Sequence, residues 1–224
     1  MVAALAIVLD LVLSGGRVVD GTGAPWFRAD VGVRGDRIVA VGDLSRTQAR
    51  RRIELRDRMV APGFIDMLGQ SERFLLADNR VESKIRQGIT TEITGEGESI
   101  APTAPRLLVE AKPFDDRYGI KVDWSDLNGY FERFHATINL ATFFGAATAR
   151  ALVMGYGDVE ANPGQIQMMQ RLVGEAIGQG AMGLSTALIY PPGSFARTPE
   201  LIELARVAAP TNVPRLIEAR NRRK

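Results

Sequence analysis

The 224-residue chain has no cysteine and a single histidine, His135. Without cysteine there are no disulfides, no thiolate metal ligands and no cysteine nucleophile. One histidine excludes a histidine-rich zinc site built from this chain alone. No apolar run is long enough to span a bilayer, since the apolar start from Met1 to Leu9 is far too short. That start lacks a basic region and a clear cleavage site, so it reads as the beginning of a strand or the remnant of a mis-set start codon, with a trimmed signal peptide as the weaker alternative. An excess of one charge is missing too: 28 basic residues face 26 acidic ones. The basic surplus gathers in Arg215, Arg220, Arg222, Arg223 and Lys224. Nucleic-acid binding would call for interleaved aromatics or a recognisable module, and the tail has neither, so it reads as a solvated terminus. Neither a nucleic-acid nor a membrane partner is expected. A hydrophobic content of 46% suffices for one medium domain, or for a small domain with part of a larger one.

The first sixty residues read as short strands. Leu11-Val12-Leu13, a turn at Ser14-Gly15-Gly16 and Arg17-Val18-Val19 form strand, turn, strand. Arg34-Gly35-Asp36 is a hairpin signal between Asp30-Val31-Gly32-Val33 and Arg37-Ile38-Val39-Ala40-Val41. Arg52-Ile53-Glu54-Leu55 alternates as a half-buried strand does. Beyond Pro62 strands alternate with helices. Phe64-Ile65 closes a strand, 82–87 is helical with Gly88 as its C-terminal cap, and 89–94 is a strand rich in β-branched residues. Residues 100–123, with three prolines, form an excursion. A helix is expected over 126–135 with Ser125 as N-cap, then a strand over 138–144. Ile166, Met169, Leu172, Val173, Ala176 and Ile177 fall at helical spacing within 163–179. A strand over 183–190 and a helix opened by Thr198-Pro199 and running to about Ala208 complete the pattern. The fold class is therefore α/β: a small β-rich, sandwich-like portion over 1–59, an incomplete (β/α)8 barrel of about four strands over 60–208, and a divergent basic tail over 209–224.

Five segments share order and spacing with one known group. They are Asp10-Leu-Val-Leu-Ser-Gly-Gly-Arg-Val-Val-Asp-Gly-Thr-Gly23, Arg34-Gly-Asp-Arg-Ile-Val-Ala-Val-Gly42, Val60-Ala-Pro-Gly-Phe-Ile-Asp66, Gln87-Gly-Ile-Thr-Thr91 and Gly183-Leu-Ser-Thr-Ala-Leu-Ile-Tyr-Pro-Pro-Gly193. Over roughly residues 10–208 the chain resembles the N-acyl-D-amino-acid deacylases (D-aminoacylases) of the amidohydrolase superfamily. The resemblance implies a (β/α)8 barrel that hydrolyses a non-peptide carbon–nitrogen bond. It also implies zinc, which polarises the carbonyl and lowers the pKa of a bound water.

The chain departs from that pattern where the metal is held. The family's first strand leads into His-x-His, and Leu68 and Gln70 occupy those positions here. Leu68 cannot ligate, and Gln70 offers only a neutral carbonyl oxygen. The family's ligating cysteine position is Gly97, within Gly95-Glu96-Gly97-Glu98, and Gly145-Ala146-Ala147 stands where Gly-His-Gly is common. After Ala208 the resemblance stops, before the fifth strand with its metal histidine and before the catalytic aspartate. A frameshift, a truncated gene or a partial reading frame would produce that break. No metal ligand and no cofactor is therefore expected from this chain, although zinc is what the family implies.

The remaining candidates line the expected C-terminal rim of the barrel strands, where barrel enzymes place their chemistry. Glu72, Glu96 and Glu98 are carboxylates able to act as acid and base or to bind a hard cation; the alternative is solvated loop charge. Asp66, at a strand end, either lines the pocket or orients the first loop. Gln70 stands at a vacated ligand position. Ser185 and Tyr190 either line a substrate pocket or pack ordinarily beside the Pro191-Pro192-Gly193 turn. Ser185 lacks a paired base, which counts against a nucleophile. His135, with no partner in sequence, reads as a helix-end histidine rather than a general base. Three functions remain open: a deacylase-like hydrolase of small N-acyl amino acids or amides, a non-catalytic pseudo-enzyme or fragment, and a redesigned site using Gln70, Glu72, Glu96 and Glu98. A chain carrying half a barrel is expected to self-associate or to require its missing half, and to be inactive alone. The compartment reads as cytoplasmic, and the periplasm is equally compatible with the absence of cysteine.

Overall fold

The structure, a computed structural model, describes residues 8–209. The apolar start before Val8 and the basic tail after Ala209 lie outside the described residues. The chain is mixed α/β and divides into two compact units after Gly63.

The first unit contains β1 (Leu9–Val18), β2 (Phe27–Arg34), β3 (Arg37–Gly42), β4 (Ala49–Glu54) and β5 (Met59–Val60). They make one five-stranded sheet in the order β3-β2-β1-β4, with β5 also paired to β1. β1 runs antiparallel to β2 and parallel to β4 and β5. The expected turn at Ser14-Gly15-Gly16 is instead a bulge inside a single long strand. The register against β2 shifts between Leu13 and Gly16, and Gly15 takes φ +69° there, a conformation open to glycine. The hairpin between β2 and β3 closes across Arg34 and Arg37, with only Gly35 and Asp36 in the loop. Leu9, Val12 and Leu44 form this unit's core.

The second unit opens with β6 (Phe64–Asp66), α1 (Glu72–Ala77), α2 (Glu82–Ile85) and β7 (Ile89–Thr94). α3 (Pro105–Leu108), α4 (Lys112–Tyr118), α5 (Leu127–Arg133), β8 (Asn139–Thr142) and β9 (Phe144–Gly145) follow. α6 (Ala146–Met154), α7 (Pro163–Gly178), β10 (Leu184–Ser185) and α8 (Thr198–Ala208) complete it. β6, β7 and β8 pair in parallel in chain order, and β9 pairs in parallel with β10. Parallel neighbours in chain order need crossovers, which the intervening helices supply. β7 is buried from Thr91 to Thr94, as expected of a strand covered on both faces. Leu127, Tyr130, Phe144, Met169, Val173 and Leu204 anchor one core shared by the helices and strands.

Several local expectations are corrected. α5 is capped by Asp126, whose side chain accepts from the Gly129 amide at 2.9 Å, rather than by Ser125. The strand expected over 138–144 breaks at Phe143 into β8 and β9. The fourth strand shrinks to Leu184 and Ser185, because the chain beyond turns out to solvent and leaves Ile189 and Tyr190 exposed. Thr198 lies inside α8, with Arg197 at its N-cap. The excursion over 100–123 contains α3 and α4. α6, an alanine-rich helix buried along most of its length, has no counterpart in the sequence reading. Among the described residues no helix is long and apolar enough to cross a membrane.

Candidate functional site

Because β6, β7, β9 and β10 are parallel to their partners, the turns leaving them converge at one end of the second unit. The turn after β6 is held from below by β7. The Gly69 amide donates to the Ile93 carbonyl at 2.8 Å, and the Ser71 amide donates to Glu92 Oε1 at 3.1 Å. The Ser71 hydroxyl donates to that same carboxylate oxygen. Glu92 is fully buried. A Cβ on Gly69 would lie 1.9 Å from Glu92 Oε1, so only glycine lets the turn approach this closely.

A lysine balances the buried carboxylate. Lys84 on α2 pairs with Asp66, and its Nζ lies 3.5 Å from Glu92 Oε2, an oxygen with no hydrogen-bond partner. Burial disfavours the ammonium, yet the Asp66 hydrogen bond and the Glu92 charge outweigh it and hold Lys84 above its ordinary value. The same hydrogen bond holds the Asp66 carboxyl below the usual range. Ser71, Lys84 and Glu92 escaped the sequence reading. A glutamate in the middle of the β-branched run of β7 was the available signal, since a charge in a doubly covered strand must be paired.

The turn after β7 is tied on several sides. The Gly95 amide donates to Glu72 Oε1 at 3.2 Å, and the Gly97 amide donates to Ser185 Oγ at 3.0 Å. The Ser185 hydroxyl donates to the Gly95 carbonyl, and the Gly97 carbonyl accepts from the Ala147 amide at 3.0 Å.

Two adjoining cavities open on this end, of about 350 and 440 Å³. Gln70, Glu72, Glu98 and Ala147 line both. Glu96, Ala187 and Tyr190 line the larger; Glu110 and Tyr156 line the smaller. Of the sequence candidates, Gln70, Glu72, Glu96, Glu98 and Tyr190 thus meet at these cavities. Asp66 turns to Lys84, and Ser185 to the 95–97 turn. His135 is exposed just beyond α5 and lines neither cavity.

Burial raises the Glu72 carboxyl above its ordinary value, and the nearby Glu92 charge adds to this against hydrogen bonds that pull it down. Glu98 is raised by partial burial and by the charge of Glu110. Each can therefore hold a proton at a pH where an ordinary glutamate has lost it. Gln70 supplies one amide donor group and one carbonyl acceptor. Arg73, the cation beside the smaller cavity, is committed to both carboxylate oxygens of Asp115 at 2.6 Å.

These residues do not fit a zinc ion. Leu68 offers no lone pair, Gln70 is neutral and Gly97 has no side chain. Among the described residues no three His, Cys, Asp or Glu side chains are placed to share a metal.

No protein-family model matches the chain. The D-aminoacylase of Alcaligenes xylosoxydans xylosoxydans is 40% identical over 210 residues, 88% of this chain and 41% of that protein. A crystal structure of D-aminoacylase, described as defining a novel subset of amidohydrolases, superposes with a TM-score of 0.78 at 40% identity, over 90% of this chain and 43% of that one. The N-acyl-D-glutamate deacylase of Bordetella bronchiseptica, solved with zinc and a phosphonate mimic of the tetrahedral intermediate, gives 0.79 at 37% identity, over 90% and 43%. The chain spans about two-fifths of the length of these relatives. Sequence and architecture together make it an amidohydrolase-superfamily chain of the N-acyl-D-amino-acid deacylase (D-aminoacylase)-like group, corresponding to the N-terminal part of those proteins.

Proposed function

We propose that the chain forms the first four strand–helix units of a (β/α)8 hydrolase acting on non-peptide carbon–nitrogen bonds. Its substrates on this reading are small N-acyl amino acids or related amides. The observation that carries it is 40% identity to D-aminoacylase over 88% of the chain, with the glutamate-lined cavities at the strand ends where a barrel enzyme binds its substrate. In this role the Gln70 amide hydrogen-bonds the substrate, and Glu72 and Glu98 hold and move protons at their carboxylate oxygens. Glu96 and Tyr190 form the outer wall. Asp66 and Ser185 set the turns that carry these groups.

A second reading, a non-catalytic relative, is favoured by Leu68, Gln70 and Gly97 at the family's ligand positions. The two readings meet in one expectation: residues 1–224 alone turn over no N-acyl-D-amino acid. The test is release of free amino acid from a panel of N-acetyl-D-amino acids, with and without added zinc, followed by the same assay on a protein that supplies the remaining strands. Turnover by the longer protein supports the hydrolase; its failure with every substrate supports the non-catalytic relative. We also place self-association among the chain's properties, because Phe64 and Ile65 on β6 and Met67 and Leu68 just after it are more than half exposed. The proposed compartment is the cytoplasm.

A further inference from the structure

The turn after β7 departs in backbone as well as in side chain from what a ligating residue at position 97 needs. Gly97 is buried and takes φ +71°, a left-handed conformation that residues with a side chain rarely adopt. A Cβ placed on it would lie 2.7 Å from the Ala187 Cβ and 3.1 Å from the Ala187 amide nitrogen. From the other side, a Cβ on Gly145 would lie 2.1 Å from the Gly97 carbonyl oxygen. The turn is therefore pressed between the start of α6 and the segment that follows β10, and a Cβ at position 97 would collide with Ala187.

Its polar groups are committed as well. The Gly97 amide is taken by Ser185, the Gly97 carbonyl by the Ala147 amide, the Gly95 carbonyl by the Ser185 hydroxyl and the Gly95 amide by Glu72. Ser185 alone bridges two residues of the turn, donating to one and accepting from the other. It joins the ends of β7 and β10.

We infer that this chain closes its rim with a hydrogen-bonded staple centred on Ser185 and packed on Gly97 and Ala187, and that the stapled rim takes no zinc. The inference rests on the rim's geometry and not on the hydrolase reading, so a failure to cleave amides leaves it standing.

The test uses the full 224-residue chain, expressed in zinc-supplemented medium and desalted. Elemental analysis is expected to find well under one zinc per chain, and a chelator is expected to move the melting temperature by less than ~1 °C, because an ion bound only to the folded state would stabilise it by mass action. Ser185→Ala is expected to lower the melting temperature by ~2–6 °C through the loss of both hydrogen bonds. Gly97→Cys is expected to lower it by at least as much, and Ala187→Gly in that background is expected to recover part of the loss. About one zinc per chain with a chelator-induced fall in melting temperature overturns the inference. So does a Gly97→Cys chain as stable as the parent, or a Ser185→Ala chain that melts with it. If a variant fails to fold, the zinc and chelator measurements on the unaltered chain still decide the matter.

Discussion

Glu72 holds its proton more tightly in the folded chain than in the unfolded one, because burial disfavours the carboxylate. The unfolded chain loses that proton near the ordinary value of 4.5, while the folded chain keeps it to higher pH. The stabilisation is complete below the ordinary value and is lost as pH rises through the folded one. Thermal melts taken from acid to neutral pH are expected to fall less steeply for Glu72→Gln than for the parent; an unchanged slope would contradict the burial of this carboxyl. Glu98 and Glu200 are shifted the same way and contribute to the parent's slope. Arg150 and Glu200 pose a different residue-scale problem. Both are buried and paired, and Arg150 also donates to the Val159 carbonyl, while its Nε has no partner. Glu200→Ala is expected to cost about 3–5 kcal/mol by denaturant unfolding, because it leaves a buried guanidinium without its counter-ion. Arg150→Met combined with Glu200→Leu is expected to recover most of that loss. Neither residue stood out in the sequence, since a charge on a helix normally faces water and only the packing of α6 against its neighbours turns it inward.

At the scale of elements, local chemistry predicted helices better than it predicted their ends. α7 was legible from its apolar spacing, and its capping box is written in Asn162-Pro-Gly-Gln165: the Asn162 side chain accepts from the Gln165 amide, and Gln165 Oε1 accepts from the Asn162 amide, both at 2.9 Å. Asn162→Ala is expected to cost about 1 kcal/mol. The turn after β6 is a tertiary feature. Gly69→Ala is expected to cost about 1–3 kcal/mol by overpacking against Glu92, measured by urea unfolding with the slope unchanged. A neutral result would mean that Glu92 does not sit beneath this turn. The shortness of β10 was not legible, because Gly183-Leu184-Ser185-Thr186-Ala187-Leu188-Ile189-Tyr190 has a strand's composition, while the structure pairs only Leu184 and Ser185 and exposes Ile189 and Tyr190.

For the molecule as a whole, the exposed apolar residues of β6 are the feature with a measurable consequence. β6 pairs with β7 on one side, and its Phe64 and Ile65 are 61% and 54% exposed. Size-exclusion chromatography with light scattering is expected to show mass rising with protein concentration. Ile65→Lys is expected to raise the monomer fraction, since a charge on a strand edge opposes strand-to-strand association. A parent chain that stays monomeric at all concentrations would remove the basis for self-association.

The sequence by itself determined the alternation of strands and helices after Pro62 in outline, the hairpin at Gly35-Asp36, the family and the residue types at Leu68, Gln70 and Gly97. These depend on residue type and spacing along the chain, which a linear text carries. Tertiary structure alone decided that the buried Glu92 sits beneath the first turn with the half-buried Lys84 beside it, that Ser185 ties the second strand's turn to the fourth, and that a Cβ on Gly97 would collide with Ala187. Each of these depends on segments 8 to 90 residues apart being brought within hydrogen-bonding or van der Waals reach, and a spacing in sequence does not encode that distance.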